Sequence, residues 1–119
     1  MAVTEDRTGY MNKIVWTWTS TSAGAYTEAT AYRYNGVCHK LITVPTDPTA
    51  LYDVTITDAD GVDVLGGAGA DRSATLQESK AQSDGLGDVK SSILTLNVAS
   101  AGDIKSGKTI LYIYDVDKP

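Results

Sequence analysis

The segment Gly102-Asp103-Ile104-Lys105-Ser106-Gly107-Lys108-Thr109 puts glycine, lysine and threonine at the spacing G-x-x-x-x-G-K-[ST], the pattern of a phosphate-binding loop. That chemistry needs a helix directly after the lysine, because its N-terminal amides and dipole hold the phosphates. Here Lys108 and Thr109 run into ILYIYDV, which is β-branched and aromatic with period two and predicts a strand. No second acidic site in a parallel βαβ arrangement stands ready to hold magnesium. The segment reads as a polar connection between two strands, and nucleotide binding is not expected.

Two further groups invite a site. Asp58-Ala59-Asp60-Gly61-Val62-Asp63 resembles a calcium loop in composition, but an EF-hand needs an oxygen ligand at its fifth position, glycine at its sixth and glutamate at its twelfth. Counted from Asp58, those positions hold Val62, Asp63 and Gly69. A different calcium site using Asp58, Asp60, Asp63 and Asp71 stays open beside a plain turn in which Asp and Gly serve backbone geometry. His39 is the only histidine and adjoins the only cysteine, Cys38. Neighbours on a strand point to opposite faces, so the two cannot form a nucleophile-base pair. Cys38 is expected in the core and His39 on the opposite face. Gly66-Gly67-Ala68-Gly69 lacks the spacing of a dinucleotide fingerprint and reads as a flexible loop. Catalytic residues, cofactor ligands and metal ligands are each expected to be none, and the chain is expected not to be an enzyme.

The elements that carry these residues are strands. In YDVTITDADGVDVL, from Tyr52 to Leu65, Tyr52, Val54 and Ile56 alternate with polar residues, which fits a half-buried strand. Ala59-Asp60-Gly61 suits a three-residue hairpin loop with Gly61 in the left-handed conformation, setting Ile56 opposite Val64. Ile14, Trp16 and Trp18 point one way on another strand. Tyr26–Tyr34 and Val37–Val44 follow as strands joined by Asn35-Gly36, a two-residue hairpin signal. Leu94, Leu96 and Val98 mark a sixth strand, and Ile110, Tyr112, Tyr114 and Val116 a seventh. About seven short strands with almost no helix predict an all-β fold, an antiparallel β-sandwich of immunoglobulin-like or jelly-roll-like type. Residues 1–10 are expected as an extended N-terminal arm. Residues 11–119 form a single sandwich domain with a long polar loop at about 66–88, holding at most one short helical turn.

Composition narrows the partners. The chain has 119 residues and a net charge of -5, which fits one domain able to bury a core. No stretch concentrates Lys and Arg, so nucleic acid is not an expected partner. One cysteine excludes an internal disulfide and suits folding in a reducing cytosol. The N-terminus lacks a basic start followed by an apolar run, and no apolar stretch is long enough to span a bilayer as a helix, so neither secretion nor membrane insertion is expected. Tyrosine supplies seven of the nine aromatic residues, with no phenylalanine. Its apolar ring and polar tip suit core margins and surfaces that meet a partner.

The stretches YNGVCHKLITVPTDP, YDVTITDADGVDVLGGAGADRS and LTLNVASAGDIKSGKTILYIYD resemble small all-β virion structural proteins of tailed bacteriophages, over about Ile14 to Tyr114. The resemblance implies a structural role repeated in a symmetric particle, made in the host cytoplasm: head decoration, the collar or neck, or a tail component. It implies partners that are other copies of the chain and other virion proteins, a homo-oligomer. It brings no chemically active residues. The alternative is a soluble β-sandwich binding module recognising carbohydrate or another surface ligand, with exposed Trp or Tyr rings stacking on sugar faces, although Trp16 and Trp18 share the direction of Ile14 and so belong with the core.

Overall fold

The computed structural model describes residues 2–48 and 51–115. Among them the chain forms nine strands: β1 (Ala2–Asp6), β2 (Met11–Thr19), β3 (Tyr26–Ala29), β4 (Tyr34–Pro45), β5 (Asp53–Thr57), β6 (Glu78–Ala81), β7 (Asp88–Ser92), β8 (Thr95–Ala99) and β9 (Ser106–Tyr114). All pairings are antiparallel. One sheet runs β1-β2-β9-β4-β6, with β7 also paired to β4, and the other runs β3-β8-β5. The chain changes sheet at nearly every connection, and β9 returns to lie between β2 and β4. The segment from Asp63 to Arg72 bridges to Thr57 of β5 and to Tyr52 just before it, filling the place of a fourth strand in the smaller sheet. This is the strand order of a jelly roll, two sheets closed over one core.

Side-chain alternation explains the layers. On β2, Ile14, Trp16 and Trp18 are fully buried, and on β9 Leu111 and Ile113 meet them from the neighbouring strand. From the smaller sheet Val54, Ile56, Leu96 and Val98 close the core. Burying a side chain of this size stabilises by roughly 1.5–3 kcal/mol each, before the entropy of ordering is subtracted. Trp18 packs at 5.5 Å from Tyr52, ring centre to ring centre, which ties the two sheets together.

Four expectations need correction. The N-terminal segment is no free arm: Ala2–Asp6 pairs with β2 as an edge strand, Val3 packs on the core, and Glu5 accepts hydrogen bonds from Ala31 N, Tyr32 N and Tyr34 Oη. Asn35-Gly36 is no hairpin: β4 runs through it with a bulge. The bulge brings Gly36 against the backbone of Tyr114, where a Cβ would lie 2.1 Å from its carbonyl oxygen, so tertiary contact overrides the turn preference of the dipeptide. The polar region at 66–88 is a loop only as far as Gln77. Beyond it β6 and a short 3-10 turn, Gln82–Asp84, pair and pack along the free edge of β4. Finally, the expected strand after Gly61 stops after one bridge. Gly61 is left-handed, at φ 82°, and Val64 N donates to Ile56 O at 2.8 Å as the register requires. The Asp63 carboxylate then takes the place of a ladder by accepting from Ile56 N and Leu65 N. Val116, expected to continue the last strand, lies outside the described residues.

Candidate interaction surface

The phosphate-loop pattern is dismantled by the fold. Gly102 has φ 101° in the connection before β9, whereas Gly107, Lys108 and Thr109 are all inside the strand. Lys108 is exposed and Thr109 fully buried, on opposite faces. Two of the three aspartates of the β5 turn, Asp58 and Asp63, are committed to backbone. Asp58 Oδ1 accepts from Asp60 N at 2.9 Å and Val62 N at 3.0 Å, and Asp63 Oδ2 accepts from Gly67 N. Asp71 lies elsewhere, its amide donating to Asp53. No group of three His, Cys, Asp or Glu side chains able to hold a metal occurs among the described residues.

Cys38 is fully buried, and its thiol is pushed up to about 12 by burial, then by the negative charges of Asp88 and Asp63. A bulge between Cys38 and Lys40 leaves both His39 and Lys40 pointing outward as a small ridge. Two open depressions flank that ridge. One, of about 710 Å³, is lined by His39, Lys40, Ala81, Gln82 and Ser83. The other, of about 310 Å³, is lined by Met11, His39, Lys40, Ile42 and Tyr112.

Both depressions belong to the outer face of the larger sheet, and the register shows what that face is. Directly paired residues share a face. Val15, Ile110 and Ile42 therefore form one cross-strand row, and Lys13, Tyr112 and Lys40 form the next. The Lys13 ammonium sits 5.7 Å from the centre of the Tyr112 ring, within range of a cation-π contact. Met11 and Tyr114 continue the face, 37% and 44% exposed. None of the chain's fifteen acidic residues falls on β2, β4 or β9. Asp6 of the edge strand β1 pairs with Lys13 at the margin, so over its three central strands this face is apolar and cationic in a chain of net charge -5.

The outer face of the smaller sheet is built differently. There Thr27, Asn97 and Thr55 form a row, with Thr27 Oγ1 donating to Asn97 Oδ1 at 3.3 Å and Asn97 Nδ2 donating to Thr57 Oγ1 at 3.4 Å. Side chains on that face hydrogen-bond to one another. The sequence carried two traces of the difference: β9 is apolar on both of its faces, and the three long strands lack carboxylates. Neither the sheet nor the pairing that turns those traces into one surface is visible without the fold.

No family model matches the chain, and no curated protein matches it. Among solved structures it is similar to a chain in the structure of infectious bursal disease virus Gx strain, with 16% identity and a TM-score of 0.34 over 97% of this chain and 35% of that chain. A chain in the structure of the Gt strain gives 15% identity and a TM-score of 0.32 over 88% of this chain and 33% of that one. The chain thus spans about a third of the length of those chains.

Proposed function

We propose that this chain is a non-enzymatic structural subunit of a virion that associates with further copies of itself, and that it does so through the outer face of its larger sheet. The observation that carries the reading is the Val15-Ile110-Ile42 row lying beside the Lys13-Tyr112-Lys40 row. An apolar strip enriched in tyrosine and rimmed by charge has the anatomy of a protein interface. The jelly-roll order supports the reading by analogy, since viral capsid domains use it, as lectins and cupins also do. The resemblance of the strand and turn pattern to tailed-bacteriophage virion proteins points the same way, with head, collar or neck, and tail as the finer alternatives. A subunit made in the host cytoplasm suits a lone, buried cysteine.

The carbohydrate-binding alternative loses its best platform, because Trp16 and Trp18 are fully buried and Trp16 Nε1 donates to Glu28 O inside the sandwich. Electron microscopy of the purified chain tests the proposal. Rings or regular particles are expected, and a chain that stays monomeric at every concentration and binds glycans overturns it.

A further inference from the structure

Taking the proposed self-assembly as its premise, we infer that the contact is head-to-tail: the turn at Asp58–Asp63 of one copy seats in the depression lined by Met11, Ile42 and Tyr112 on the next copy. The turn presents Val62, 58% exposed, next to Asp60, whose carboxylate has no hydrogen bond or ion pair among the described residues. Asp58 braces the turn from within by accepting from Asp60 N and Val62 N. The projecting unit is therefore one apolar side chain with a carboxylate beside it, held on a rigid frame.

The depression has the opposite chemistry. Its lining combines the apolar parts of Met11, Ile42 and Tyr112 with Lys40 and His39. Other exposed apolar tips fit less well. Ile104 stands between Asp103 and Lys105, of opposite charge. Leu76 is followed by Glu78, whose carboxylate is already engaged by Arg72 and Ser73 N. The Val62 tip pairs an exposed apolar group with an uncommitted carboxylate and has no cation next to it in sequence. Two copies of net charge -5 repel at long range, so a specific contact has to come from such local complementarity.

The turn belongs to the smaller sheet and the depression to the outward side of the larger one, so a chain cannot satisfy its own depression. The contact uses two different patches and is heterologous, which propagates into a closed ring or an open filament and not into a two-fold dimer.

Sedimentation velocity on wild type, Lys40→Glu, Asp60→Lys and an equimolar mixture of the two variants tests this. Each variant alone should associate about tenfold more weakly than wild type, the loss expected for a reversed charge at a contact. The mixture should recover, because Asp60 of one variant meets Lys40 of the other, while the reversed pair, Lys on the turn and Glu in the depression, is complementary too. If wild type associates and neither variant changes it, or the mixture fails to recover, the head-to-tail pairing is wrong while the assembly role stands. If wild type never associates, both fall. Thermal melts of both variants exclude unfolding, and Val62→Ser, which removes the apolar tip without touching charge, gives a second and independent loss of association.

Discussion

Gly107 faces Trp18 across the β2–β9 ladder, and a Cβ at Gly107 would lie 2.6 Å from Cζ2 of the indole and 2.9 Å from Val44 O. The glycine that completes a phosphate-loop pattern in the sequence is thus the gap into which the largest core side chain fits. A residue demanded by one chemistry on paper serves packing in the fold.

Gly107→Ala should accordingly destabilise by about 1–3 kcal/mol, the usual cost of forcing extra volume into a filled core. Lys108→Ala, on the exposed face, should stay within about 0.5 kcal/mol of wild type. Denaturant titrations of both variants check the ranking, and the reverse order would contradict the packing role. ATP or GTP titrated onto wild type should give no binding that Lys108→Ala abolishes.

The edge strand β1 is fastened by Glu5, which accepts from Tyr34 Oη at 2.7 Å and from Ala31 N at 2.9 Å. Glu5→Ala should cost about 1–3 kcal/mol, as expected for hydrogen bonds to a charged acceptor. Deleting residues 1–8 should lower the melting temperature further, because it also removes a ladder and the contact of Val3 with the core. An unchanged melt of the truncated chain would show that β1 is dispensable to the fold.

Alkaline pH should weaken the fold through the same latch. Burial, then the hydrogen bond and charge of Glu5, raise the Tyr34 phenol well above its ordinary value, and burial with Glu28 does the same to Tyr26. A group whose folded pKa is raised holds its proton longer in the folded state, so its stabilisation is complete below the unfolded pKa of about 10 and is lost as pH climbs past it. Unfolding free energy should therefore fall above about pH 10, and more shallowly in Tyr34→Phe than in wild type. Equal slopes would remove Tyr34 from the linkage.

Cys38 should be silent in the native state. Its thiol is fully buried and pushed up to about 12, so almost no thiolate exists at neutral pH to attack a disulfide reagent. A thiol-reactive dye should label the chain only as fast as it unfolds. Rapid stoichiometric labelling of the folded protein would contradict the buried placement.

The long, strongly alternating strands were legible. Ile14, Trp16 and Trp18 announced β2, and Val54 with Ile56 announced β5, because each has one dry face. The edges were not. β1, β6 and β7 are short and carry Glu5, Asp6, Glu78, Lys80, Asp88 and Lys90, and a strand that buries only a few side chains has little pattern to show. On β9 the residues that marked the strand, Ile110, Tyr112 and Tyr114, turn outward, while Leu111 and Ile113 enter the core. Parity could not be read there because both faces are apolar. That ambiguity is the sequence trace of the outer surface, whose continuity shows only with β2, β9 and β4 side by side.

The central claim is that this surface joins copies of the chain, and one measurement meets it directly: sedimentation equilibrium of wild type beside Ile110→Asp, which puts a carboxylate in the middle of the Val15-Ile110-Ile42 row without entering the core. Wild type is predicted to populate assemblies that grow with concentration, and Ile110→Asp to remain monomeric with a melt close to that of wild type. Assembly of Ile110→Asp to the same extent as wild type would contradict the account.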